Sequence, residues 1–105
     1  MNRQKKLPSS ELISLSRQLA MIIDSDLALY EGLELISKQT KIKASRQMLE
    51  RLMERTADGS SLGEALSKES GLLPGFFINM ISVGEQSGNL TRVLNRIADS
   101  YEKDD

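Results

Sequence analysis

The residues best placed to do chemistry lie at positions 84–89, Gly-Glu-Gln-Ser-Gly-Asn, where one amphipathic segment stops and another starts at once. The 105 residues contain no His and no Cys. Histidine acid–base catalysis, His or Cys zinc sites and disulfides are therefore absent, and a reducing compartment is allowed. Carboxylates remain, and Glu85 is the best placed of them. It sits near the C-terminus of its segment, where the helix dipole disfavours a negative charge. A compensating partner is expected: Arg92 or Arg96, the N-terminal amides of the following helix, or a cation. A divalent cation wants several oxygens, and the other donors would be Asp24, Asp26 and Asp99. Their spacing does not resemble a contiguous calcium loop. Glu85 is expected to cap or pair locally, a partner interface is the second reading, and no metal or cofactor is assigned. A Ser–Lys dyad lacks any oxyanion-hole signature, so Ser9, Ser10, Ser60 and Ser61 read as caps. No enzyme is expected.

Six helices and no strands must position this corner, because the apolar residues recur every three to four positions and never alternate. Residues 10–25 carry Leu12, Leu15, Leu19, Ile22 and Ile23 on one stripe. Asp24-Ser25-Asp26 ends that helix and offers a cap to the next, over 27–39, with Leu29, Tyr30, Leu33 and Ile36 on one face. The third spans 42–57 with Ile42, Leu49, Leu52 and Met53 aligned. Ser61 and Glu64 form a capping box that opens a short fourth helix to about residue 70. Pro74 suits the start of the fifth, which carries Phe77, Met80, Ile81 and Gly84 on one face. Gly88 suits a left-handed C′ position and Asn89 an N-cap for the sixth helix. Short connections fold sequential helices back on each other. The predicted fold class is all-α, a compact bundle of six antiparallel helices in hairpins.

Hydrophobic content is 39%, charged content 28% and formal net charge −1. That balance supports one core and gives no global field toward nucleic acid or an acidic membrane. The longest apolar run, Leu-Ala-Met-Ile-Ile at 19–23, is five residues, and a bilayer span needs about 20. The basic start is followed by no apolar stretch, so it is not a signal peptide. Residues 1–9 are expected to be a flexible segment and 10–103 the domain, with the ends looking like those of an excised piece.

Two surface features remain. Lys38, Lys41, Lys43 and Arg46 cluster at the second corner, where they are either a solvated turn or a site for anionic lipid or an acidic partner. Phe76 and Phe77 are adjacent, so on a helix they point about 100° apart and one should be exposed as an interface anchor. Lys41, Lys43, Arg46, Phe76 and Phe77 are thus the candidate partner-binding residues. Gly84, Glu85, Gly88 and Asn89 are the candidate corner site.

Three motifs in fixed order resemble one family. The first is Ser16-Arg17-Gln18-Leu19-Ala20-Met21-Ile22-Ile23 followed by Leu27-Ala28-Leu29-Tyr30-Glu31-Gly32-Leu33. The second is Asp58-Gly59-Ser60-Ser61-Leu62-Gly63-Glu64-Ala65-Leu66. The third runs from Pro74 through Gly84-Glu85-Gln86-Ser87-Gly88-Asn89-Leu90, completed by Leu94 and Ala98 to Tyr101. Together they look like the cytoplasmic F domain of type II secretion and type IV pilus inner-membrane platform proteins, over about residues 10–103. The chain departs from the pattern at Ser25-Asp26, where the family usually has a small residue and Gly. The resemblance implies a six-helix cytoplasmic domain, usually present twice in a polytopic protein whose spans supply the membrane attachment. It implies a non-catalytic scaffold that contacts the assembly ATPase and other inner-membrane components, self-associates as a homodimer or higher oligomer, and binds no nucleic acid. Met21 and one of Phe76 and Phe77 are candidate contacts for that association. The alternative is a small helical DNA-binding or regulatory adaptor, with Gly88 in a helix-turn-helix. Its second helix would set Arg92, Arg96 and Lys103 against Asp99 and Glu102, a poor phosphate footprint.

Overall fold

A computed structural model describes residues 5–103. Six helices follow in order: α1 (Ser9–Ile23), α2 (Leu29–Gln39), α3 (Lys43–Ala57), α4 (Leu62–Ser67), α5 (Gly75–Ser87) and α6 (Leu90–Lys103). No strand occurs among the described residues. The stripes seen in the sequence are the buried faces. Leu12, Leu15 and Leu19 of α1 meet Leu94 and Ile97 of α6 in a core that also takes Leu33, Leu49, Leu52, Phe77 and Ile81. α1 lies along α6, α2 along α3, and α5 along α6, while the short α4 bridges α3 and α5. The first and last long helices therefore close the bundle, and Arg17 reinforces that closure. Its guanidinium donates to Asn95 Oδ1 at 2.9 Å, Asp99 Oδ1 at 2.7 Å and Glu102 Oε1 at 2.8 Å.

Gly32 of α2 faces α1 at close range. A Cβ there would lie 2.8 Å from Ile22 Cγ1, inside van der Waals contact. The glycine's helix-propensity cost of about 1 kcal/mol is thus tied to helix–helix approach.

Several local expectations are corrected. α2 starts at Leu29, two residues late, with extended Ala28 at its N-cap. Neither Asp24 nor Asp26 caps it. Ser25 shapes the corner instead, donating to Ile22 O and accepting from the Leu27 N–H. Tyr30 and Ile42, placed on core faces by periodicity, are 44% and 40% exposed. α4 ends at Ser67 rather than near residue 70, because the chain turns to bury Glu69. Of the expected flexible segment 1–9, residues 1–4 lie outside the described residues. Leu7 is buried and its N–H donates to Leu72 O at 2.8 Å.

Glu69 was not singled out in the sequence. It is 4% exposed, and its carboxylate takes Arg51 Nε at 2.9 Å, Arg51 Nη2 at 2.6 Å and Arg55 Nη1 at 2.5 Å. Its backbone carbonyl accepts from Leu72 and Leu73. α3 is thereby fastened to the turn between α4 and α5. Burial pushes this carboxyl up, and the hydrogen bonds from Arg51 and Arg55 outweigh it, so it lies below its ordinary value.

Candidate functional site

The α5–α6 corner is built from backbone outward. Gly88 sits at φ 71°, ψ 26°, in the left-handed region. Its N–H donates to Glu85 O at 3.3 Å, and the Asn89 N–H donates to Gly84 O at 2.8 Å. These are the two bonds of a Schellman motif, which satisfies the carbonyls at the end of α5. Asn89 holds the N-cap position of α6 through its backbone carbonyl, which accepts from the Val93 N–H at 3.0 Å. Gly84 lets the two helices come close: a Cβ there would lie 3.0 Å from Val93 Cβ and 3.3 Å from Leu90 Cα. The whole segment thus serves one geometry, α5 folded sharply onto α6.

Gly88 has open space around it, with nothing within 4 Å of an added Cβ. Any penalty for a side chain is therefore backbone conformation alone. Gly88→Ala is expected to lose about 1 kcal/mol, read as a lower urea midpoint with an unchanged slope.

Glu85 finds a partner that the sequence did not suggest. Its Oε2 accepts from the Gly63 N–H at 2.9 Å and its Oε1 from the Ser61 hydroxyl at 3.1 Å. The compensating charge is the N-terminus of α4, not the amides of α6 or the side chains of Arg92 or Arg96. Ser61 and Glu64 complete the expected capping box: the Glu64 N–H donates to Ser61 Oγ and the Ser61 N–H to Glu64 Oε1. The backbone bond from Ser61, then the bond with its hydroxyl, hold the Glu64 carboxyl below its ordinary value. Two carboxylates therefore share the first turn of α4, one from within the helix and one from α5. Adjacent to this arrangement, Ile23, Glu85, Asn89 and Arg92 line a shallow surface hollow.

The remaining candidates are spread over the surface. Phe77 is fully buried, while Phe76 is 48% exposed and meets Tyr101 edge to face with ring centroids 6.2 Å apart. Val83, one heptad after Phe76 on α5, is 57% exposed. Lys41 and Lys43 are exposed at the α2–α3 corner, and Arg46 donates to Thr40 O at 3.3 Å. The structure therefore gives two separate surfaces rather than one site. Val83 was missed because it lies off the buried stripe of α5, though its spacing from Phe76 marks a second stripe.

No helix among the described residues is long and apolar enough to cross a membrane. A family model described as type II secretion system (T2SS), protein F, matches residues 15–105. A type II secretion system protein F from Aeromonas hydrophila is 32% identical over 95 residues, covering 90% of this chain and 24% of that protein. The type IV pilus assembly protein PilC of Thermus thermophilus is 32% identical over 94 residues, covering 90% of this chain and 23% of that protein. A type 4 fimbrial assembly protein PilC from Pseudomonas putida is 30% identical over 99 residues, covering 94% of this chain and 25% of that protein. The chain thus spans about a quarter of the length of these relatives. With the three motifs lying on α1–α2, α4 and the α5–α6 corner of a six-helix bundle, this chain belongs to the type II secretion system protein F family.

Proposed function

We propose that this chain is a non-enzymatic scaffold domain at the cytoplasmic face of a bacterial inner membrane. It would act within a larger platform protein for type II secretion or type IV pilus assembly, whose other segments provide the membrane spans. Family membership supports the setting. The observation that carries the scaffold reading is the exposed Phe76–Val83 stripe on α5, beside a corner whose carboxylate is already engaged internally. A rigid helical face bearing an exposed aromatic anchor suits protein docking. Its partners would be the assembly ATPase or other inner-membrane components of the same system, and further copies of the platform. The DNA-binding alternative gains no support. α6 gives Val93, Leu94, Ile97 and Ala98 to the core, and its outer face mixes Arg92, Arg96 and Lys103 with Asp99 and Glu102.

The test is binding of the purified chain to the purified ATPase and to the cytoplasmic domains of the other inner-membrane components of its own system. Wild type is expected to bind at least one of them. Phe76→Ser with Val83→Ser is expected to weaken that binding about 10-fold or more while leaving the helical circular dichroism spectrum intact. A wild-type chain that binds none of them would overturn the scaffold reading.

A further inference from the structure

α2 and its two flanking corners carry a charge pattern that no ion pair within the described residues uses. Residues 24–34 hold Asp24, Asp26, Glu31 and Glu34 and no Lys or Arg, while residues 35–49 hold Lys38, Lys41, Lys43 and Arg46 and no Asp or Glu. Four negative charges are thus followed by four positive ones along α2 and its two flanking corners. None of the eight forms an ion pair with another described residue. The dipole of α2 accounts for part of the pattern, since acids suit its start and Lys38 its end. It does not account for the basic half. Lys43 and Arg46 occupy the first turn of α3, whose N-terminus disfavours cations, and no acid stands within that turn to offset them.

The same stretch of chain leaves large apolar side chains open. Met21 is 72% exposed, Leu35 49%, Leu27 and Tyr30 44% and Ile42 40%. Among the described residues only Phe76 and Val83 add to these large exposed apolar side chains. Met21, Leu27 and Leu35 border a groove of about 300 Å³ between α1 and α2, with Gly32 and Ile36 in its lining. Acidic residues lie at the end where α2 begins and basic ones at the end where it finishes. An apolar strip with opposite charges at its two ends is complementary to itself after a half-turn.

We propose that a second copy of this chain docks on this face through a two-fold axis. The two α2 helices run antiparallel, Met21, Leu27 and Leu35 of the copies pack together, and each copy's acidic half faces the other's basic half. The proposal rests on the scaffold reading for the expectation of self-association and deepens it by assigning the face. An anionic bilayer would use only the basic half and would repel Asp24, Asp26, Glu31 and Glu34. It would leave the exposed Met21 and Leu27 at the acidic end without a role. A second copy uses both halves and the strip between them.

The test uses two charge-reversed chains. One carries Lys38→Glu, Lys41→Glu and Lys43→Glu; the other carries Asp24→Lys, Asp26→Lys and Glu31→Lys. All six positions are exposed, and circular dichroism checks that both variants fold. Sedimentation equilibrium of the wild type should show a dimer that weakens with added salt. Each variant alone should be weakened about 100-fold or more, since like charges then face each other at both ends of the interface. An equimolar mixture should recover a heterodimer, because each contact then joins an acidic block to a basic one. If wild type dimerises and the variants dimerise as well as it does, self-association uses another face: this assignment fails and the scaffold reading stands. A mixture that stays monomeric overturns the two-fold arrangement. A strictly monomeric wild type overturns the proposal outright. Lysine-dependent capture of that monomer by phosphatidylglycerol vesicles would assign the basic corner to lipid instead.

Discussion

Replacing Arg51 and Arg55 together by Met is expected to cost about 3 kcal/mol at neutral pH, a drop of roughly 10–20 °C in Tm for a domain of this size. Met keeps much of each side chain's apolar volume, so what is removed is chiefly the charge opposite Glu69. That carboxylate is 4% exposed and receives three bonds from the two guanidinium groups. Without them it would be a buried charge with no counter-charge, a configuration that costs more than the pair contributes when intact. The pH dependence separates this cause from ordinary loss of packing. In the wild type the Glu69 carboxyl lies below its ordinary value. The unfolded chain therefore binds the proton first. The stability from this group is fully present above the usual carboxylate range near pH 4.3 and is lost as pH falls through its folded-state value. In the double variant only burial acts on the carboxyl, raising its pKa, so stability should increase as pH is lowered from neutral. Opposite pH slopes of Tm for the two proteins are the expected result, and parallel slopes would dismiss the buried-charge account. Adding Glu69→Met to the double variant should recover most of the lost stability, because an apolar cluster then replaces the ionic one.

What the sequence disclosed and what it hid divide by chain distance. The Schellman corner, the capping box and the six helical stripes depend on residues within five positions of one another. Each was legible from residue type and spacing, as Gly88 at φ 71° and the Ser61–Glu64 pair show. Contacts across the chain were not. Glu85 lies 22 residues from Gly63, and Glu69 lies 18 and 14 from Arg51 and Arg55, so nothing local announces either pairing. Periodicity also fixes the direction of a buried stripe more sharply than its width. Tyr30 and Ile42 fall at its margin and are exposed. The Asp24-Ser25-Asp26 run resembles an N-cap, yet the Ser25 hydroxyl is used within its own turn and α2 begins later, at Leu29. On the surface, the basic half of the charge pattern was noticed because its residues cluster at a corner. Of the acidic half, Asp24 and Asp26 drew attention only as a cap and as possible ligands, Glu31 and Glu34 not at all, and the relation of all four to the groove needed the fold.

The contact between Glu85 and α4 is expected to show a reversal of sign. Glu85→Ala removes the acceptor of the Gly63 N–H and of the Ser61 hydroxyl. Gly63 is buried, so its N–H is left without its acceptor in a place with little access to water, at a cost of about 2 kcal/mol. Gly63→Ala approaches the same contact from the other side. A Cβ at position 63 would overlap Glu85 Oε1 and lie 3.0 Å from Glu85 Cδ. The carboxylate would have to move, breaking the bonds it makes, so in the wild-type background this substitution is also expected to destabilise, by about 1–2 kcal/mol. In the Glu85→Ala background the carboxylate is gone, and the new methyl occupies the space it vacates. Gly63 lies within α4 and Ala favours a helix over Gly by about 1 kcal/mol. There Gly63→Ala should be neutral or stabilising. Urea denaturation of the four proteins measures the coupling, expected at about 1 kcal/mol or more. Additive losses would show that Glu85 does not hold the α4 N-terminus. If it does hold it, Glu85→Ala should leave partner binding unchanged once the folded fraction is accounted for, because the carboxylate is engaged within the domain. Partner binding that fell while stability held would return Glu85 to the interface role that its place in the sequence first allowed.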